Sequence, residues 1–358
     1  MRILFKTSNL DDIRLLKHGG YTRWYGVLVA GLVAAPALLA EFYVGELSQI
    51  FVLAIAGVGL MLLIGYTGLA SLGHGAFMAI GAYADTYLIG KGVPFPAAFV
   101  AAGLLAMLAG VAVALPANRM TGIYLAIATL AFSQIVEQVV VRWESVTRGF
   151  QGMPVPPPDI LGYPLSRAWE FYYLCLAVLI LVVLGAVNLT RSPTGRAMVA
   201  IRDSEISAQS LGVNLVRYKT IAFALSAFIT GLAGALLGHK LKFISPDAFN
   251  ILLSIQLLLM VVVGGLGSIH GAIYGAIFVG GLPQAIALMR DYLPGVIAKT
   301  PGLEPGLFGL VMILIVLFEP MGIYGRWLKV KAYFDYFPLY RASTFKRQRS
   351  YLKTERVR

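Results

Sequence analysis

The chain predicts an all-α, polytopic membrane bundle of roughly eight to ten transmembrane segments, with both termini cytoplasmic. Three observations carry that expectation. Of 358 residues, 58% are hydrophobic and 13% charged, with mean hydropathy +0.78, against about 25% charged in soluble domains. Apolar windows of about 20 residues, long enough to cross a hydrocarbon core, recur along most of the chain. Lysine and arginine also alternate in density between successive connections, as the positive-inside rule requires of a multi-pass protein.

Ten spans follow from those windows: Tyr25–Val44, Leu47–Ile64, Leu69–Ile89, Phe95–Leu115, Gly122–Val141, Phe171–Leu189, Thr220–Gly238, Ile251–Val263, Leu266–Leu288 and Leu307–Tyr324. The third is interrupted and the eighth is short. On this map one set of connections holds five cations at the N-terminus, one at Arg119, five in the 190–219 loop and ten at the C-terminus. The opposite set holds the remaining eight of the 29. The richer side is therefore cytoplasmic. Residues 1–23 form a cytoplasmic segment, 24–325 the transmembrane domain, and 326–358 a basic tail with Lys346, Arg347 and Arg349 clustered. Such a tail suits anionic lipid headgroups better than nucleic acid. The basic start precedes an apolar run, as in a secretory signal, but it exceeds twenty residues and another span follows at once. It reads as a retained first helix.

What is missing narrows the chemistry. No G-x-x-x-x-G-K-[ST] phosphate loop occurs: the one Gly-Lys pair, Gly90–Lys91, continues with Gly92. Any ATP must be bound by another chain. His18, His74, His239 and His270 are scattered and Cys175 is alone, so neither a zinc-hydrolase motif nor a disulfide framework is expected. Asp85, Glu137 and Glu319 lie toward span ends, where water or headgroups reach a carboxylate. An ion-driven carrier would keep one at mid-span.

Three segments invite function. Leu60–Gly81, LMLLIGYTGLASLGHGAFMAIG, is apolar yet broken by Gly65, Gly68, Gly73, Gly75 and Gly81. Regular helix is cheaper in lipid, so the interruption suggests transport. These glycines either let helices approach closely or expose backbone to a solute. Tyr66, Thr67, Ser71 and His74 need polar partners at depth in either case. A second cluster, Gly264, Gly265, Gly267, Gly271 and Gly275 with Ser268 and His270, repeats the theme. The loop Arg191–Thr220 carries an imperfect apolar face of Ala200, Ile201, Ala208, Leu211 and Val213 beside Arg202, Asp203 and Glu205. It predicts a short surface helix, with Ser204 capping a second turn and Gly212 ending it left-handed. Such a helix either docks on a cytoplasmic partner or rests on lipid. The outward loop 142–170 contains Pro154, Pro156, Pro157 and Pro158, which favour stiff extended backbone.

Four stretches then carry a resemblance: GYTGLASLGHGAFMAIGAY (65–83), GIYLAIATLAFSQIVE (122–137), GRAMVAIRDSEISAQSLGVN (195–214) and VVGGLGSIHGAIYGA (262–276). In this order they resemble the permease subunit of branched-chain amino acid ABC importers, the LivM type, over about residues 45–325. The resemblance implies a non-enzymatic transport subunit in a bacterial inner membrane. Its partners would be a LivH-type second permease, two cytoplasmic ATP-binding subunits that hold ATP and Mg, and a periplasmic solute-binding protein. The chain itself would bind no cofactor, metal or nucleic acid. The family's ATPase-coupling loop would map onto 195–214, with Ala208 and Gly212 at an EAA-type motif whose Glu is displaced to Glu205. Pathway or packing roles would fall to the glycine clusters and to Ser71 and Ser268. Relatives carry a Gly-Gly-rich sequence where this chain has Thr147, Arg148, Gly149 and Phe150, a departure that admits aromatic or aliphatic carboxylates alongside leucine, isoleucine and valine; a permease for urea or amides is a further alternative. An ion-coupled secondary carrier is the alternative of another class.

Overall fold

The computed structural model describes residues 19–120, 122–160, 162–290, 302–319 and 321–336. Its helices are α1 (Gly19–Leu38), α2 (Glu41–Thr67), α3 (His74–Gly90), α4 (Phe95–Ala117), α5 (Ile123–Arg142), α6 (Glu144–Thr147), α7 (Ala168–Arg191), α8 (Pro193–Asp203), α9 (Glu205–Ser210), α10 (Leu215–Leu241), α11 (Ile251–Gly264), α12 (Ile269–Arg290), α13 (Leu303–Phe318) and α14 (Gly322–Tyr336). Among the described residues seven segments are long and apolar enough to cross a membrane, and eight if the pair α13–α14, bent by 48°, is one span.

The helical class stands, and the differences from the ten-span map have local causes. The expected first span is cut after Leu38, and α2 starts six residues earlier than expected, at Glu41. The expected third span becomes helix only at His74, which leaves α3 at 17 residues. The last expected span bends between Phe318 and Gly322. Helices also run through both proposed domain edges, since α1 begins at Gly19 and α14 covers Gly322–Tyr336. The cluster Lys346, Arg347 and Arg349 lies outside the described residues, as do residues 1–18.

α2 and α10, each 27 residues, form the centre: 78% and 83% of their span windows are buried, against 22% for α5 and 28% for α7. Only helices surrounded by protein on every side lose their solvent face so fully, so α5 and α7 form the rim. α3 and α4 pack on α10 through small residues. A Cβ at Gly81 would lie 2.0 Å from the Gly231 carbonyl oxygen, and one at Gly234 would lie 2.0 Å from that of Met78. Backbone thus meets backbone, the close approach that drives helix association where burial from water contributes little.

Among the described residues four two-residue strands, invisible to hydropathy, tie the loops. β1 (Met153–Pro154) pairs antiparallel with β4 (Phe243–Ile244), and β2 (Asp159–Ile160) pairs with β3 (Tyr163–Pro164). The first pair fastens the proline-rich loop to the end of α10, in the extended conformation its prolines favour. Arg148 and Gly149 both have φ near +57°. This is the left-handed region that glycine enters without strain, so Arg148 adopts here what a Gly-Gly sequence would adopt freely.

Candidate functional site

The first glycine segment is a helix end followed by irregular chain. Gly68, at φ +72°, closes α2 by donating its N–H to the Ile64 carbonyl (3.0 Å), and Leu69 donates to Leu63 (3.2 Å). Glycine stops the helix because a side chain in this conformation is strained. Thr67 Oγ1 turns back onto the Leu63 carbonyl. Residues 68–73 then climb beside α5, where the Leu72 N–H donates to Thr129 Oγ1 (2.9 Å).

α3 starts at His74, whose ring meets Ser226, about 17 Å along α10 at 1.5 Å per residue. The buried network there assigns its own protons. The Ser226 hydroxyl donates to the Gly59 carbonyl (2.7 Å), so it accepts from His74 Nε2–H (2.8 Å). His74 Nδ1 therefore accepts from the Ser71 hydroxyl (3.2 Å), which accepts in turn from the Gly73 N–H (3.3 Å). Each group has one role, so a neutral imidazole sits at half-height with its hydrogen bonds made. At the same level the Gly75 N–H donates to Ser254 Oγ (2.8 Å), joining the start of α3 to the first turns of α11. The two short helices leave this point in opposite directions. α3 rises until Asp85 meets His239 near the far end of α10, while α11 descends to Gly264.

The second glycine segment closes the lower end. A Cβ at Gly264 would lie 2.0 Å from the Gly271 carbonyl oxygen, and one at Gly65 would lie 2.8 Å from the Gly267 nitrogen. The Ser268 backbone carbonyl accepts the Ala272 N–H at the start of α12 (3.2 Å), and Ser268 takes no part in the His74 network. Gly265 abuts Tyr324, and Tyr66 is half-buried. Close packing therefore occupies both clusters within the chain.

The 190–219 loop meets both glycine turns at one end of the bundle. Ser192 and Ser204 cap α8 and α9 by accepting from the N–H groups of Gly195 and Ser207, and Gly212 is left-handed at φ +83°. Arg202 holds the join: Nη1 donates to the Gly65 carbonyl (3.0 Å), while Nε and Nη2 grip Asp203 Oδ1 (3.0 and 2.9 Å). Its side chain would crowd a Cβ at Gly68 (3.2 Å) or Gly267 (3.3 Å). Glu205 pairs with Lys219 (2.8 Å), itself buried at the start of α10. Ala208 is buried on the inner face of α9, whereas Ile206 and Leu211 are 82% and 83% exposed. Two large apolar side chains thus project from a rigidly seated helix.

Sequence reasoning missed one pair. Asp85 was expected to be wetted at a span end; it is 1% exposed and bonds His239 Nε2 through Oδ2 at 2.7 Å. Their separation of 154 positions leaves no local signal. Glu137 is half-buried and hydrogen-bonded by Gln134 (3.5 Å). Glu319 pairs with Arg326.

A rigid helical core with broken spans and an exposed, seated loop helix at one end defines a multi-pass membrane transport protein. The family model described as branched-chain amino acid transport system / permease component matches residues 42–316, and the chain belongs to that family. It is 34% identical over 324 residues to the high-affinity branched-chain amino acid transport system permease protein LivM of Escherichia coli, covering 83% of this chain and 74% of that one. Against LivM of Salmonella typhimurium the identity is 33% over 316 residues, covering 81% and 72%. The Escherichia coli permease LivH is 26% identical, covering 76% and 91%. No solved structure matches the chain.

Proposed function

We propose that this chain is one of two permease subunits of an ABC importer that carries branched-chain amino acids into the cytoplasm across a bacterial inner membrane. A LivH-type permease is its partner in the bilayer. Two ATP-binding subunits supply ATP and Mg from the cytoplasm, and a periplasmic solute-binding protein delivers cargo. Both termini and the 190–219 loop are cytoplasmic in this reading. The ends that the cation count puts on one side, Gly65–Gly68, Arg202 and Gly267, are the ends that touch.

The observation that carries the reading is the seating of α8 and α9. Ile206 and Leu211 present apolar surface to a partner, and Arg202 relays any displacement straight to the Gly65 turn. An amphipathic element docking in a groove is a general recognition mode. The chain needs no nucleotide site of its own for this. The test is reconstitution: the full complex should accumulate leucine only with ATP, while the purified chain alone should neither hydrolyse ATP nor transport. Uptake by the chain alone, driven by a proton or sodium gradient, would establish the secondary-carrier alternative instead.

A further inference from the structure

The rim helix α5 carries a feature that the coupling machinery does not use. Its inner face packs on α3 and α4 while most of the rest stays open. Two rows run side by side on the open face toward the end that adjoins the proline-rich loop. Gln134, Gln138 and Arg142 form a polar row, and Ile135, Val139 and Trp143 an apolar row one residue behind. Four-residue spacing stacks side chains on one face of a helix, so each row is continuous over about 12 Å at 1.5 Å per residue. Together the six line a shallow, open groove along this one helix, a wall that a second surface must complete.

Hydrocarbon is a poor cover for this face. It offers the Gln134 and Gln138 carboxamides no hydrogen bonds, and an unsatisfied polar group in lipid costs several kcal/mol. The groove also has a definite charge. Among the described residues Arg142 pairs with no acid, and no acidic side chain lines the groove. The neighbouring Glu137 engages Gln134 instead. A lone guanidinium favours a carboxylate, and the apolar row beside it favours an aliphatic chain.

We propose that this groove is one wall of the outward-facing solute chamber: Arg142 receives the carboxylate of an aliphatic amino acid at the mouth, and Gln138 and Gln134 hand it inward. The cargo's side chain slides along Trp143, Val139 and Ile135. The proposal deepens the importer reading and rests on it for the cargo, but the chamber itself is tested separately.

Cys175, the one cysteine, is buried, so single cysteines report cleanly in the assembled transporter. Gln134→Cys, Gln138→Cys and Arg142→Cys should react with a charged, membrane-impermeant thiol reagent at least about tenfold faster than Leu181→Cys, which is exposed in wholly apolar surroundings. Leucine-loaded binding protein should slow that reaction. Arg142→Gln should lower leucine uptake about tenfold, the scale of one charge-assisted hydrogen bond, and Arg142→Lys should restore part of it. Thiols at 134 and 138 as inert as Leu181→Cys would mean that the second permease or lipid covers the face, and would overturn the chamber. Wild-type uptake by Arg142→Gln would overturn the carboxylate role. Failure of the wild-type complex to accumulate leucine would count against the amino-acid cargo, while the thiol pattern would still decide the chamber.

Discussion

The buried pair Asp85–His239 makes a quantitative test. His239 Nδ1 lies 3.0 Å from the Pro156 carbonyl oxygen, which only accepts, so Nδ1 carries a proton. Nε2 faces Asp85 Oδ2 at 2.7 Å, and the two side chains are 0% and 1% exposed. Among the described residues Asp85 Oδ1 has no partner, so the shared contact has no spare hydrogen bond there to fall back on. Asp85→Leu strands a buried imidazole, and His239→Phe strands a buried carboxylate while releasing Pro156. If the pair is ionic, each single change costs about 3–5 kcal/mol, because the surviving charge is uncompensated. If it is neutral, each costs about 1–3 kcal/mol, the penalty of one unsatisfied buried polar group. The double variant Asp85→Leu/His239→Phe removes both liabilities beside the Phe95 ring, which already packs edge-on to His239 at 5.1 Å. It should regain most of the loss. Denaturant unfolding in mixed micelles, followed by tryptophan fluorescence, measures all three. Single variants costing less than about 0.5 kcal/mol, the level of an unremarkable surface change, would refute the reasoning. So would a double variant whose loss equals the sum of the singles.

Gly234→Ala should destabilise by about 1–3 kcal/mol, the usual range for overpacking, because its methyl would meet the Met78 carbonyl at 2.0 Å; a thermal melt that does not move would contradict the backbone contact. Ser226→Ala should cost about 1–3 kcal/mol by leaving His74 Nε2–H and the Gly59 carbonyl without their shared partner, seen as a lower unfolding midpoint. Ile206→Asp and Leu211→Asp, on exposed positions, should leave that midpoint within about 0.5 kcal/mol of wild type while abolishing copurification of the ATP-binding subunits. Retained copurification would show that the coupling contact lies elsewhere.

Local signals survived the passage from sequence to structure, and contacts between distant residues did not. Ser204 as a cap and Gly212 as a left-handed stop depend on three or four neighbouring residues, and both stand where the pattern put them. The break near Gly65–Gly75 was legible for the same reason, but its shape was not. Hydropathy cannot tell irregular apolar chain at 69–73 from helix, so α3 seemed to begin at Leu69 rather than His74. The partners of His74 and Asp85 come from α10, more than 150 positions away, and no periodicity announces them. The α5 groove falls between these cases. The spacing of Gln134, Gln138 and Arg142 was present in the sequence, yet in the span Gly122–Val141, read for average hydropathy, Gln134 and Gln138 vanish into the mean, and Arg142 counts only as a cation beyond its end. Rim position gives them meaning, and rim position is a property of packing.

The twin contacts of Gly81 with Gly231 and Met78 with Gly234 have a mechanical corollary. Carbonyls seated in the notches of a facing helix work like teeth in a rack, so α3 and α10 are barred from slipping along one another. They must travel as one stiff body through any cycle of opening and closing. Motion is left to the seams that lack such teeth, chiefly around the outer helix α7, where a Cβ at Gly185 would meet nothing within 4 Å, and there a crosslink would stall the machine while one across α3 and α10 would leave it running.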